Sequence, residues 1–176
     1  RFEMLDASGL VQAGIAYTGF DGMDVLLGDA ADELIVGSLR AYADPVAFTL
    51  GGGDDLLGLG LEGSASRLAA IGSAVAVFAG NGHDTVAFHD ADNASVRSVT
   101  FSGSTISGLL PAGLSVQLGF VEQINAYLGV ARDYLTITVP GWDLRVDTGG
   151  GDDQITVNGL EPGRTVQLLG GAGNET

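Results

Sequence analysis

The sequence predicts an all-β fold, a right-handed parallel β-solenoid made of stacked coils of about 20–30 residues. Three observations lead to this prediction. One strand–turn–strand pattern recurs six times, the recurrences are about one coil length apart, and the composition combines 29 glycines with 22 acidic residues in a chain of 176. Because 45% of the residues are hydrophobic, a packed core can form despite a formal net charge of −15.

Each recurrence, called a frame below, has a Gly-x-Gly-x turn followed by an anchor acid. The clearest anchors are Asp55, Asp84 and Asp153. Apolar residues stand two and four places after each anchor and seven and nine places before it, an alternation typical of strands with one buried face. Glycine suits the turn because it adopts positive φ without strain. The turn glycines of these frames are Gly51, Gly53, Gly80, Gly82, Gly149 and Gly151.

Three further frames match the pattern less fully. Asp32 and Asp133 follow turns with alanine in place of the second glycine, and Glu175 replaces the aspartate. The interval between Asp84 and Asp133 has room for two coils. Its middle, residues 99–108, alternates like a strand but has no turn motif. We therefore expect one coil without a motif there, and about seven or eight coils in all.

A longer repeat, offset by about 101 residues, relates the two parts of the chain. Residues 20–28 match residues 121–129, and Asp32 matches Asp133. This pattern predicts one continuous solenoid segment over residues 1–176, cut from a longer tandem array, with internal units of approximately 1–101 and 102–176, the second incomplete. The alternative is a meander of antiparallel hairpins, which uses glycine in its loops but does not require an acid at one fixed place.

The charge balance excludes several classes of function. Seven basic residues against 22 acidic ones cannot neutralise nucleic-acid phosphates or approach an anionic lipid surface, so we expect neither nucleic-acid binding nor membrane insertion. The absence of cysteine excludes disulfides and thiolate metal sites. The only two histidines, His83 and His89, have no nucleophile motif beside them, so we expect no enzyme.

The repeated acid indicates a site for a cation. Stacked coils would place the anchor carboxylates about 4.8 Å apart along one turn edge, where they repel one another. Ca²⁺ would remove this conflict, because it prefers carboxylate and carbonyl oxygens and glycine-rich turns expose their carbonyls. Asp54 and Asp152, each next to an anchor, are further candidate ligands. In the alternative interpretation, each anchor only accepts a hydrogen bond from a nearby backbone amide.

The segments 51–57, 80–86 and 149–155 resemble the haemolysin-type calcium-binding (RTX) repeat, in the long-coil form of giant bacterial surface proteins and adhesins. The resemblance implies a parallel β-roll with calcium between stacked turns. Asp55, Asp84 and Asp153 would then supply side-chain oxygens, and the turn glycines would supply carbonyls. It also implies secretion to the bacterial cell surface. Here one motif occurs per coil, so calcium would line one edge only.

These observations predict an extracellular structural or adhesive segment, such as a stalk, a fibre or a surface-layer element. Its expected partners are calcium, further copies stacked end to end or in a filament, and a glycan or host surface. The alternative is a polysaccharide-binding or polysaccharide-cleaving β-helix, which would need aromatic and arginine side chains together on one sheet. Residues 89–93 are predicted to form a solvated loop, with a second calcium site as the alternative. Trp142 is predicted to be buried as a plug over the coil edge, with an exposed ring that stacks on a sugar as the alternative.

Overall fold

The computed structural model describes residues 21–60, 68–111 and 113–176, together with the backbone of two strands nearer the N-terminus. Within the predicted solenoid segment, residues 1, 6–10, 16–20, 61–67 and 112 lie outside the described residues. The described part contains strands and one short 3-10 helix, Leu68–Ala70, and no α-helix. The predicted all-β class is therefore confirmed.

Fourteen of the strands belong to two sheets that share one hydrophobic core. The eight-stranded sheet contains β3 (Asp24–Leu26), β5 (Val46–Gly52), β7 (Val75–Asn81), β9 (Ser98–Gly103), β10 (Thr105–Ser107), β11 (Ser115–Gly119), β13 (Tyr134–Pro140) and β15 (Gln154–Gly159). The six-stranded sheet contains β4 (Glu33–Val36), β6 (Leu56–Leu59), β8 (Thr85–His89), β12 (Gln123–Tyr127), β14 (Asp143–Asp147) and β16 (Val166–Leu169). A separate antiparallel pair consists of β1 (Phe2–Leu5) and β2 (Val11–Ile15).

The chain passes alternately from one sheet to the other, and strands of successive coils pair in parallel. The strand β5 pairs with β3 and β7, for example, while β6 pairs with β4 and β8. This arrangement is the predicted parallel β-solenoid, and the hairpin meander is excluded. The described residues form six coils rather than seven or eight, one for each strand of the six-stranded sheet.

One antiparallel hairpin interrupts the parallel arrangement. Strand β10 pairs antiparallel with both β9 and β11, so the segment predicted as a coil without a motif instead adds two strands to one sheet. Gly103, with φ of 53°, lies where the chain reverses after β9, and Gly108, with φ of 85°, follows β10. Positive φ values are available to glycine without strain, which explains why the reversal occurs here.

The apolar positions of the frames contribute to the core. Phe48 pairs in register with Val77, and Leu57 pairs with Val86, and all four side chains are buried. Burial of each such side chain stabilises the fold by roughly 1.5–3 kcal/mol. Trp142 is also buried and makes an edge-to-face contact with Phe101 at a centroid distance of 6.2 Å, which confirms its predicted burial.

The longer repeat relates strands of opposite sheets. In the repeat, the residues of β3 match those of β12, and the residues of β5 match those of β14. However, β3 and β5 belong to the eight-stranded sheet, whereas β12 and β14 belong to the six-stranded sheet. Strands β3 and β12 are separated by three and a half coils. The two matching parts of the chain are therefore related by a half-turn about the stack axis.

The tight stacking of the turns gives the first prediction. Gly80 has φ of 109°, and a methyl group on it would overlap the carbonyl oxygen of Gly51 in the neighbouring coil. We expect Gly80→Ala to lower the free energy of unfolding by about 3 kcal/mol, because strained φ and steric overlap add. Urea denaturation measures this quantity.

Gly163→Ala is the matched control, because Gly163 has a positive φ of 86° but no atom within 4 Å of its added methyl group. It should cost about 1 kcal/mol from backbone strain alone. Equal losses for the two variants would contradict close packing between the turns.

Candidate functional site

The anchor acids form two columns at opposite edges of the solenoid. The first column contains Asp32, Asp55 and Asp84, each of which precedes a strand of the six-stranded sheet. The second column contains Asp133 and Asp153, each of which precedes a strand of the eight-stranded sheet. The prediction of a single edge is wrong, because the half-turn between the repeat units moves the motif to the other connection of the coil.

Within the first column, the carboxylates of Asp55 and Asp84 bind the backbone of the preceding coil, whereas Asp32 accepts a hydrogen bond from the Gly28 amide of its own turn at 3.1 Å. The Asp32 amide donates to Oδ1 of Asp55 at 2.8 Å, and the Asp55 amide donates to Oδ1 of Asp84 at 2.9 Å. In return, the carbonyl oxygen of Asp32 accepts a hydrogen bond from the Leu56 amide at 2.9 Å. Two hydrogen bonds thus join each pair of neighbouring anchors.

The second column repeats this geometry. The Arg97 amide donates to Oδ1 of Asp133 at 2.7 Å, and the Asp133 amide donates to Oδ1 of Asp153 at 2.7 Å. At these corners the chain leaves one sheet for the other, so the carboxylate oxygen replaces the carbonyl of an interrupted strand ladder. Amide capping by the anchors is therefore confirmed, although for all of these anchors except Asp32 the capped amide belongs to the neighbouring coil.

Four of the anchors have one carboxylate oxygen without a hydrogen-bond partner in the structure. These buried residues are Asp55, Asp84, Asp133 and Asp153, and the unpartnered atom is Oδ2 in each. A buried polar atom without a partner costs about 1–3 kcal/mol, and more when it is charged. In each of these four residues, Oδ1 joins two coils through a hydrogen bond, whereas Oδ2 is buried without a hydrogen-bond partner.

Burial and neighbouring charges change the acidity of two anchors. Burial raises the pKa of Asp133 from 3.8 to about 6; the charge of Asp153 adds to this rise, while the hydrogen bond from the Arg97 amide opposes it. Burial also raises the pKa of Asp84, with contributions from the negative charges of Asp55 and Glu122. In each column, therefore, one anchor has a raised pKa: Asp84 in the first and Asp133 in the second.

The acids beside the anchors bind turn amides on the outside. Oδ1 of Asp54 accepts a hydrogen bond from the His83 amide at 2.9 Å, and Oδ1 of Asp152 accepts one from the Asn174 amide at 3.0 Å. Exposed Glu175 lies beside Gly170. Asp54 and Asp152 thus contact the turn of the adjacent coil, whereas Glu175 lies within its own turn.

The predicted turn glycines bring the backbones of successive turns into direct contact. All six have positive φ values. The carbonyl oxygen of Gly28 accepts a hydrogen bond from the Gly52 amide at 3.1 Å, and that of Gly129 accepts one from the Gly150 amide at 2.9 Å. Several turn carbonyls are therefore already engaged by the next coil.

The fit of the structure to calcium is different for the two kinds of ligand. The four buried Oδ2 atoms are hard anionic donors without a partner, which is what Ca²⁺ prefers. Turn carbonyls such as those of Gly28 and Gly129 already accept a hydrogen bond from an amide of the next coil. To ligate the ion, these oxygens would have to bind it in addition to that amide. Over the described residues, no group of three or more His, Cys, Asp or Glu side chains is arranged to hold a metal ion. The anchors thus fit calcium as carboxylate donors only.

Glu122, which ends the first column, was not predicted from the sequence. Oε2 of Glu122 accepts a hydrogen bond from the Asp84 amide at 3.0 Å, and the Asp84 carbonyl accepts one from the Gln123 amide at 3.0 Å. Glu122 therefore occupies the anchor place of the next coil without a Gly-x-Gly turn before it. Its position immediately before β12 was the only available signal.

Arg97, whose amide starts the second column, was not predicted from the sequence either. The prediction of a solvated loop at residues 89–93 is wrong for Asp90. This side chain is buried and forms an ion pair with Arg97 at 2.8 Å. It also accepts hydrogen bonds from the Leu68 amide at 2.9 Å and the Asn93 side chain at 2.8 Å. The ion pair fixes Arg97, whose amide binds Asp133.

The fold and the site define a class of protein: parallel β-solenoids whose coils are joined at two edges by carboxylate-to-amide ladders. In comparisons with models of known families, with curated proteins and with solved structures, nothing matches this chain. In the part of the chain that the structure describes, no helix has the length and apolar character required to cross a membrane.

The raised pKa values predict how stability depends on pH. A carboxyl group whose pKa is higher in the folded state contributes stability that is complete below its unfolded pKa and is lost as the pH rises through the folded pKa. For Asp133 this window extends from 3.8 to about 6. In a calcium-free buffer, the free energy of unfolding should therefore fall across this range.

Asp133→Asn should reduce this fall, because asparagine keeps the Oδ1 acceptor and has no charge to bury. Asp44→Asn, a change at an exposed residue outside the frames, is the control and should follow the wild type. Urea denaturation at several pH values measures the effect. A wild-type stability that rises from pH 4 to pH 7 would contradict the prediction.

Proposed function

We propose that this chain is a structural or adhesive segment of an extracellular bacterial surface protein, such as a stalk, fibre or surface-layer element, and that its aspartate columns bind Ca²⁺. The observation that carries the proposal is the set of four buried anchor carboxylates, each with an unpartnered oxygen at the same place in the repeat. The resemblance of the turns to haemolysin-type calcium-binding repeats supports the extracellular location.

The continuity of bonding along the stack supports a mechanical role. Parallel backbone pairing joins successive coils in both sheets, and the anchor ladders join them again at the edges. The interior holds a continuous row of buried apolar side chains. A rod bonded in this way resists bending and extension, which suits a spacer or fibre. The proposal assigns the chain no catalytic role.

Calcium would act as the counter-ion of the columns. Asp55 and Asp84 would hold it at the first edge, and Asp133 and Asp153 at the second, through their carboxylate oxygens. The bound ion supplies positive charge that offsets the repulsion between stacked carboxylates. Because the anchors are brought together only in the folded chain, binding stabilises the fold by mass action.

A calcium titration tests this proposal. The wild type should melt at a higher temperature in Ca²⁺ than in EDTA, and Asp55→Asn or Asp153→Asn should each reduce this difference. Asparagine retains the Oδ1 acceptor that binds the Asp32 or Asp133 amide, so loss of the charge is separated from loss of the hydrogen bond. Melting is followed by circular dichroism, with NaCl added to equal ionic strength.

Asp44→Asn removes one exposed charge outside the columns and should keep the full calcium response. Equal melting temperatures in Ca²⁺ and EDTA would refute the calcium proposal. A full response in both column variants would place calcium elsewhere on the chain.

A second candidate function is polysaccharide binding or cleavage, and one cluster on the six-stranded sheet favours it. The rings of His89 and Tyr127 stack with a centroid distance of 5.2 Å, and the guanidinium carbon of Arg145 lies 5.5 Å from the centroid of Tyr127. Gln123 and Asn125, on the same strand as Tyr127, are joined by a hydrogen bond of 3.1 Å. These side chains provide the aromatic surface and planar polar groups that contact sugars.

Tyr127→Ala tests whether the cluster binds polysaccharide, because it removes the ring that His89 and Arg145 both contact. If the cluster binds polysaccharide, retention of the wild type on immobilised bacterial or host glycans should exceed that of the variant by about ten-fold. Tyr134→Ala is the control, since Tyr134 is an exposed tyrosine on the other sheet. Equal retention of the wild type and both variants would contradict a glycan site at Tyr127.

A further inference from the structure

The connection between β11 and β12 is shorter than the connection on which it stacks. The register pairs Phe78 of β7 with Gly119 of β11, and Thr85 of β8 with Gln123 of β12. Six residues therefore separate Phe78 from Thr85, whereas only three separate Gly119 from Gln123. The glycine turn before Asp84 thus has no counterpart in the next coil.

The missing counterpart leaves this glycine turn exposed. Residues 80–82 are exposed, whereas residues 51–53, on which they stack, are half-buried. The carbonyl oxygen of Gly53 is covered by the next coil, because a methyl group on Gly82 would overlap it. Among the described residues, no backbone amide donates to the carbonyl oxygen of Gly82. This turn therefore has a carbonyl oxygen that neither a glycine nor an amide of the next coil engages.

Glu122 takes the anchor place in the short connection. Its Oε2 accepts the hydrogen bond from the Asp84 amide at 3.0 Å, so one of its two carboxylate oxygens is used. Glutamate has one methylene group more than aspartate, which lets the side chain reach this amide from a shorter connection. Glu122 is half-buried, whereas Asp84 is 0% exposed and Asp55 is 2% exposed. Solvent and ions can therefore reach this end of the column through Glu122.

Asp84 places an unpartnered oxygen at the same step of the column. Its Oδ1 accepts a hydrogen bond from the Asp55 amide at 2.9 Å, and its buried Oδ2 has no hydrogen-bond partner in the structure. Burial is the main cause of the raised pKa of Asp84, and the charges of Asp55 and Glu122 add to the rise. Both of these neighbouring charges are negative, so a cation at this step would be stabilised.

The first step of the second column is less favourable for a cation. Asp133 there binds the amide of Arg97, whose guanidinium group forms an ion pair with Asp90. Burial raises the pKa of Asp133, but the positive charge of Arg97 opposes this rise. The same positive charge would repel a bound cation. Among the described residues, no positive group contributes to the pKa of Asp84.

We propose that the step between Asp84 and Glu122 is the tightest calcium site of the two columns, and that Glu122 is one of its ligands. The half-buried carboxylate, the unpartnered Oδ2 of Asp84 and the unengaged carbonyl of Gly82 are hard oxygen donors of the kind that Ca²⁺ prefers. Two carboxylates leave most of the roughly six to eight ligand positions of the ion to carbonyls and water. The inference rests on the proposed calcium function and deepens it, because no turn motif precedes Glu122.

Calcium titration of the whole chain by isothermal calorimetry tests the inference, after calcium is removed with EDTA and the chelator is dialysed away. Glu122→Gln should weaken the tightest calcium site at least about ten-fold, because it removes one of two anionic ligands. Glutamine keeps an oxygen acceptor for the Asp84 amide, so the hydrogen bond between the coils is retained. Circular dichroism in EDTA checks that the variant folds.

Glu161→Gln is the matched control, because it makes the same substitution at an exposed glutamate outside both columns. It should bind calcium like the wild type. If Glu122→Gln does not fold, a crystal structure of the wild type grown in CaCl₂ replaces it, with an ion expected on Asp84 and Glu122. Calcium bound only elsewhere in that crystal would overturn the inference.

The outcomes of the titration separate this inference from the proposed function. If the wild type binds calcium and Glu122→Gln binds it equally tightly, the inference is overturned and the proposed function is not. An equal loss in both variants would also overturn the inference, because the effect would then follow net charge rather than the site. A wild type that binds no calcium would refute the proposed function, and this inference with it.

Discussion

The hydrogen bond from a backbone amide to the anchor carboxylate of the next coil is the interaction on which the rest of the structure depends. A solenoid has a corner wherever the chain changes sheets, and the ordinary pairing of amides with carbonyls fails there. Oδ1 of Asp55 restores the acceptor that the Asp32 amide would otherwise lack, and Oδ1 of Asp153 does the same for Asp133. The position of the acid therefore fixes the register of the coils and, through it, the apolar interior.

The same interaction creates the electrostatic problem of the site. A carboxylate that is close enough to cap the next coil is also close to the carboxylate of that coil, and its second oxygen is buried without a partner. A proton or a cation can resolve this conflict, and each has a different consequence. A proton would make the fold more stable in acid, whereas a cation would make its stability depend on the concentration of that cation.

Periodicity in the sequence predicted the solenoid, because the spacing of Phe48, Leu57 and their equivalents is preserved wherever coils stack. It also predicted the anchors, but not the edge to which each belongs. A frame predicts a strand, a turn and a second strand, but it does not predict which sheet contains the first strand. The half-turn between Asp84 and Asp133 therefore could not be predicted from the sequence. Glu122 and the Asp90–Arg97 ion pair were missed for another reason: their partners lie 38 and 7 residues away and follow no repeat.

The two extra strands contributed by the β9–β10 hairpin have a geometric consequence. Neighbouring strands are about 4.8 Å apart, so two additional strands lengthen one face of the stack by about 10 Å where the opposite face gains nothing. A stack with unequal faces cannot remain straight without a wedge-shaped filling. Leu109 and Leu110, buried just after the hairpin, lie at this widening. We therefore expect the stack to change direction at the hairpin, with its convex side on the eight-stranded sheet.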